Sequence, residues 1–229
     1  MKTSDLSVGV VIPVRNGART LAAAIESVSH QKPPPGDVVV VDGDSDDGSA
    51  ALAGTFARVR VIAQEGRGLG AARNQGIREV AGDLIAFCDA DDCWTAGALA
   101  ARLKHLAAEP SCGAVIGQLR RTLAAGNMAT PQQASRLGRV EAAYTPSALM
   151  ARRSSFEAVG PFDETLAIGA DSDWFVRLVQ SAVRLDVLPE TMLLKGVRSS
   201  SLSTDVATYR RELLQVARRY VDRRRRGAP

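Results

Sequence analysis

Four short apolar runs rich in β-branched residues, each followed by a helical stretch, limit what this chain can fold into. The runs are Val8–Val14, Val38–Val41, Val59–Ile62 and Leu84–Cys88. The intervening Arg19–Gln31 places Leu21, Ala24, Ile25 and Val28 at helical spacing. Ser49–Ala57 reads as a small-residue helix, and Gly68–Val80 and Thr95–Ala108 as two more. Strands that are apolar throughout are covered on both faces, which points to a parallel sheet. Right-handed crossovers then wind the first half into a Rossmann-like α/β unit with helices on both faces.

The pattern weakens after Ile116. Gln118–Ala142 is polar, lacks a period and reads as a long variable loop, a class that is often functional. Ser147–Met150 fits strand or helix. Ser154–Val159 reads as a helical turn, Asp171–Ser181 as a helix, and Arg184–Leu188 with Met192–Leu194 as closing strands. Asp205–Arg226 is a final helix with Val206, Tyr209, Leu213, Val216 and Tyr220 on one stripe. It packs on its own domain or on a second copy, as a homodimer would use it. No repeat or linker divides the chain, so residues 1–204 read as one domain, followed by the helix and its basic tail at 205–229.

No stretch approaches the apolar length of a membrane span, and the start, with Lys2 and Asp5, reads as a first strand rather than a signal peptide. Cys88, Cys93 and Cys112 are odd in number without CxxC spacing, so reduced thiols in a cytoplasmic protein are expected. His30 and His105 stand alone on helical stretches and receive no catalytic role. Net charge is +4, and Arg218, Arg219 and Arg223 to Arg226 carry it, leaving the remainder near neutral. The plain reading is a solvated helix end whose cations suit its dipole. The sharper one is peripheral contact with an anionic membrane surface, at about 1 kcal/mol for each basic residue. Nucleic acid is disfavoured, because no aromatic residues interleave the run.

The chemistry gathers at strand ends. LIAFCDADD delivers Asp89, Asp91 and Asp92 to the end of a buried strand. Clustered carboxylates repel, and a hard divalent cation is their simplest partner. The first strand ends in Pro13-Val14-Arg15-Asn16-Gly17, and the second in Asp42-Gly43-Asp44-Ser45-Asp46-Asp47-Gly48. The third leads into Gly66-Arg67-Gly68-Leu69-Gly70-Ala71-Ala72-Arg73-Asn74. In a parallel sheet these ends share one rim, where such folds bind ligands. Each cluster also has a plainer explanation. Asp47 with Gly48 can be a turn and an N-cap, Asp92 can cap the helix starting near Thr95, and Gly66–Gly70 lacks the spacing of a phosphate loop.

The ordered set VGVVIPVRNGARTLAAAIESV, VVVVDGDSDDGS, RGLGAARNQGI and GDLIAFCDADD, then RRSSFEAVGPFDE and GADSDWFVRL, resembles a family 2 glycosyltransferase of GT-A fold over roughly residues 7–203. The resemblance implies a donor-binding half at about 1–117 and an acceptor-binding half at about 118–204. It implies a nucleotide-sugar site formed by Pro13, Arg15, Asp42, Arg73, Asp89 and Arg198. Asp42 would accept a hydrogen bond from the base, and Asp89 and Asp91 would form a DxD motif holding Mn²⁺ or Mg²⁺. Asp171 would be the general base. The implied activity is metal-dependent, inverting transfer from a UDP-sugar or related donor to a hydroxyl of a small molecule, peptide or glycan. A peripheral attachment at the inner membrane face is compatible with it. Departures from the family pattern are Arg15 for a stacking aromatic, Gly43-Asp44 for the reverse order, Ala170 for an acid beside the base, and Gly196 and Arg198 for Arg and His. They motivate an alternative, a catalytically altered nucleotide-sugar binding protein of the same fold.

Overall fold

The computed structural model describes residues 6–123, 134–197 and 206–225. Four parallel strands open the sheet of the described residues: β1 (Val8–Val14), β2 (Asp37–Asp42), β3 (Val59–Ala63) and β4 (Leu84–Phe87). β1 lies between β2 and β4, and β2 between β1 and β3. Their connecting helices are α1 (Ala18–Ser29), α2 (Ser49–Ala53) and α3 (Gly68–Glu79). This is the doubly wound unit that the apolar runs imply. Alternate residues of each strand feed opposite cores. Val10, Ile12, Val38, Val40, Leu84 and Ala86 join α1 residues Leu21, Ala24, Ile25 and Val28 on one face. Val11, Val39, Val41, Ile85 and Phe87 enter the core on the other face.

From β4 onward the structure departs from the sequence reading in three places. Gln118–Ala142 is not simply a loop: β6 (Cys112–Leu123) runs into it and β7 (Val140–Ala142) pairs back on β6, with residues 124–133 outside the described residues. The fourth strand is followed at once by a short strand, β5 (Asp92–Trp94), and α4 begins only at Ala98 (Ala98–Ala108). The two expected closing strands are one continuous element, β9 (Arg184–Val197). β8 (Met150–Arg152) is antiparallel to both β4 and β6, and β9 runs parallel to β6 with register shifts, which makes the sheet mixed. The order is β3-β2-β1-β4-β8-β6-β9-β5. Further α-helices among the described residues are α5 (Arg153–Val159), α6 (Ala170–Gln180) and α7 (Val206–Arg225). No helix among the described residues is long and apolar enough to cross a membrane.

α3 lies very close to the sheet. A Cβ at Gly76 would stand 2.2 Å from Val11 Cγ1, so only glycine permits that approach. One turn earlier on the same helix is Arg73, fully buried.

Candidate active site

The rim at the C-terminal ends of β1, β2 and β4 gathers most of the residues singled out from sequence. Asp42 closes β2; its Oδ2 accepts the Ser45 N–H at 3.2 Å, while Oδ1 is buried without a hydrogen-bond partner. A buried acceptor left open is costly unless something binds there. Arg15 is exposed at the end of β1, beside Gly43, where a Cβ would lie 3.4 Å from Arg15 Cβ. Pro13 is buried inside β1 in register with Val41, so it shapes the strand end rather than the surface. Arg198 lies outside the described residues.

The Asp44–Asp47 cluster locks the two rim loops together. Asn16 N–H donates to Ser45 Oγ at 2.9 Å and Asp46 N–H to Asn16 Oδ1 at 3.0 Å. Asp47 Oδ2 accepts the Ala18 N–H at 2.9 Å. Asp47 therefore caps α1 across the loop, while its Oδ1 accepts the Ser49 N–H at 3.0 Å at the start of its own helix, α2.

Arg73 is the centre of the site. Its Nη2 donates to Asp89 Oδ1 at 2.8 Å, and its Nη1 donates to Asp171 Oδ1 in a short hydrogen bond. The side chain has no exposure at all, and its guanidinium carbon lies over the Phe162 ring, 5.6 Å from the ring centre. The adjacent Asn74 binds the same region of chain. Its amide donates to the Phe162 carbonyl at 2.9 Å and to Glu164 at 2.8 Å, and its Oδ1 accepts the Phe162 N–H at 2.8 Å. Two consecutive residues of α3 thus tie the strands of the first half to the segment that carries Asp171.

Asp89 has protein partners besides Arg73. Its N–H donates to Ser147 Oγ at 3.0 Å, and Lys195 Nζ lies 3.9 Å from its Oδ2. Burial pushes its carboxyl up, but Arg73 and Lys195 outweigh this and hold it below the usual range. Asp171 differs: burial raises its carboxyl above the ordinary value, Asp89 adds to the rise, and Arg73 opposes it.

Asp92 does not cap α4, contrary to expectation. It is wholly buried, and its carboxylate takes the Lys195 ammonium at 2.9 Å and the Gly196 N–H at 3.1 Å, because β5 pairs with β9 and brings Lys195 opposite it. α4 instead starts at Gly97, whose φ of 78° suits glycine, without a side-chain cap. Burial, with Asp91 and Asp89 nearby, pushes Asp92 up to about 6. Asp173 is structural: buried, it holds Arg177 at 2.7 Å, and Arg177 in turn donates to the Val159 and Pro161 carbonyls. Trp174 is core, stacked between Phe156 and Phe162.

Sequence reasoning missed three residues: Lys195, Ser147 and Glu212. A lone cation ending the apolar run Met192–Leu194 was a signal for Lys195. No local pattern marks the other two, whose partners lie 58 and about 45 residues away.

The acidic rim fits a hard divalent cation. Asp89, Asp91, Asp92 and Asp171 gather around Arg73 and Lys195, and Asp91 and Asp89 both push the Asp92 carboxyl up. Elsewhere, His105, Cys112 and Asp186 bring three ligand atoms within 4.8 Å of one another, at the opposite end of the sheet. There Arg184 grips both Asp186 oxygens, at 2.9 and 2.8 Å, and neutralises the carboxylate.

Comparison with known proteins agrees with this geometry. The family description "Glycosyl transferase family 2" matches residues 9–160, and the chain belongs to that family of sugar-transferring enzymes. It is 32% identical over 206 residues to the pre-mycofactocin glycosyltransferase of Mycobacterium tuberculosis, covering 81% of this chain and 42% of that protein. Against glycosyltransferase AglE of Haloferax volcanii it is 29% identical over 193 residues, covering 78% of this chain and 63% of the relative. The chain therefore spans less than two thirds of either. The mannosyltransferase PcManGT from Pyrobaculum calidifontis, solved with GDP-Man and Mn²⁺, superposes with a TM-score of 0.70 at 22% identity, covering 95% of this chain and 64% of that one. TarS 1-349 of S. aureus, solved with UDP-GlcNAc, gives 0.71 at 18% identity, over 86% and 60%. The fold is GT-A.

Proposed function

We propose that this protein moves a sugar from a nucleotide-diphospho sugar, with UDP-sugars the first choice, to an acceptor hydroxyl with inversion at the anomeric carbon. The observation that carries the reading is Arg73, which holds a carboxylate from the donor-side strand end and one from α6 on a single buried guanidinium. A nucleotide-sugar site and an acceptor site must meet at one carbon, and these two carboxylates meet at one side chain. The neighbouring fold's complexes with GDP-Man and with UDP-GlcNAc support a nucleotide-sugar donor.

The residues divide the work. Asp42, with its open Oδ1, accepts an N–H of the nucleotide base, and Arg15 beside it offers a planar face for stacking. Asp91 and Asp89 would hold Mn²⁺ or Mg²⁺, and a divalent ion bound there neutralises charge on the departing nucleoside diphosphate. Asp171 accepts the proton of the acceptor hydroxyl as its oxygen attacks. Its raised proton affinity favours that transfer near neutral pH. Lys195 adds a cation to the same rim.

Mn²⁺ with a panel of nucleoside diphosphates and their sugars tests this by thermal stabilisation and by diphosphate release. UDP with metal should stabilise the chain, and Asp91→Ala should abolish the effect; no shift with any nucleoside diphosphate sinks the reading. Asp171→Asn should lower transfer by about 10²–10⁴-fold while the UDP-induced shift persists. Loss of that shift would make Asp171 a binding or structural residue instead. The alternative, a binding protein without transfer, is favoured by Ala170 and would show the UDP shift with no turnover of any donor. Ala170, however, has a local reason: it packs with Leu166 and Val216 in a small apolar cluster that an acid would disrupt.

A further inference from the structure

We propose that Glu212, on α7, is a positioning residue that fixes the backbone turn from which Asp171 projects. The proposal rests on the reading of Asp171 as the base. Three consecutive N–H groups donate to the Glu212 carboxylate: Ala167 at 3.0 Å, Ile168 at 2.9 Å and Gly169 at 2.8 Å. Asp171 follows two residues later.

The geometry explains why this turn needs an external partner. The first N–H groups of a helix have no acceptor within it. α6 begins at Gly169 without a side-chain cap of its own. Glu212, from another helix, instead binds the three N–H groups of the turn leading into α6, and sets a negative charge beside the positive end of that helix. It is 5% exposed, yet it stays ionised: burial pushes its carboxyl up, and the N–H groups of Ile168, Gly169 and Ala167 outweigh this and hold it below the usual range. The fit is close, because a Cβ at Gly169 would stand 3.2 Å from Glu212 Cβ. Leu166, Ala170 and Val216 close an apolar cluster beside it, and Arg219 ties Asp163 at 2.6 Å just upstream. Asp171 is thus fixed twice, its carboxylate by Arg73 and its backbone by Glu212.

Other contacts hold α7 at the far end of α6, where Arg223 Nε donates to Gln180 Oε1 at 3.0 Å. That separation makes the inference testable. Glu212→Gln keeps the shape and removes the charge. With Mn²⁺ and the UDP- or GDP-sugar that the chain hydrolyses fastest, kcat should fall about tenfold to a hundredfold, with donor KM within about twofold. Amide exchange across residues 167–171 should quicken by at least about tenfold. Glu212→Asp, which keeps the charge, should recover part of the kcat. Gln180→Ala, which removes its contacts with Tyr220 and Arg223 at the far end of α6, should lower the melting temperature and leave kcat and the exchange of 167–171 unchanged. Unchanged exchange at 167–171 in Glu212→Gln overturns the proposal, as does an equal kcat loss in Gln180→Ala. If no donor is hydrolysed, or if Asp171→Asn hydrolyses it at the parent rate, the base reading fails. The exchange measurement still decides whether Glu212 holds the turn.

Discussion

The two halves of the molecule hold their carboxylates in different ways. In the first, Asp42 and Asp89 stand at the ends of β2 and β4, the parallel strands on either side of β1, and the ladder itself delivers them to one rim. In the second, Asp171 sits at the start of a helix, fixed by a buried arginine from α3 and a glutamate from α7. A strand end is a local device that needs only an apolar run and a turn. A helix start braced from two distant elements is a tertiary device, as dependable once folded and far more exposed to single substitutions.

Arg73→Met breaks this contrast most severely, since it removes the cation that the two halves share. Asp89 and Asp171 would lose their main partner, at a cost of about 3–5 kcal/mol in unfolding free energy, read from urea titration. A loss below about 1 kcal/mol would mean that the halves do not depend on this tie. Asp92→Asn sharpens the comparison through pH. Asp92 titrates at about 6 when folded, above its ordinary 3.8, so the folded chain keeps a proton that the unfolded chain has already released. The stability from this group is fully present below 3.8 and lost as pH rises through about 6. The advantage of the parent chain over Asp92→Asn should therefore grow, on the order of 2 kcal/mol, between pH 7 and pH 4. A flat difference across that window contradicts it. The smallest effect is expected within the first half, at the half-exposed pair of Arg60 and Asp37, 2.8 Å apart. Arg60→Ala should cost less than about 1 kcal/mol and leave UDP binding untouched.

The same contrast explains what could be read from the sequence. β1 to β4 and the stripe Leu21, Ala24, Ile25 and Val28 were legible because burial on both faces and helical period are local patterns. β5, three residues long, and β9, interrupted by register shifts, carry no period of their own and exist only through pairing. Asp92 was misread for the same reason. A carboxylate shortly before a helix is usually a cap, and only the ladder between β5 and β9 shows that its partner is Lys195. The role of Arg73 in joining Asp89 to Asp171 spans 98 residues, a distance over which no spacing rule operates.

The pairing of β5 with β9 also sets an order of events during synthesis. Asp92 and Lys195 are 103 residues apart, and β9 is the strand that joins β5 to the sheet. At roughly 5–20 residues per second, the ribosome needs several seconds after making Asp89, Asp91 and Asp92 before their lysine partner exists. During that interval β6 lacks its parallel neighbour and presents an open edge, the kind of surface that recruits chaperones or aggregates. The acidic motif is therefore translated early and assembled late, and a chain interrupted before residue 184 would carry every letter of DADD without the strand that gives it shape.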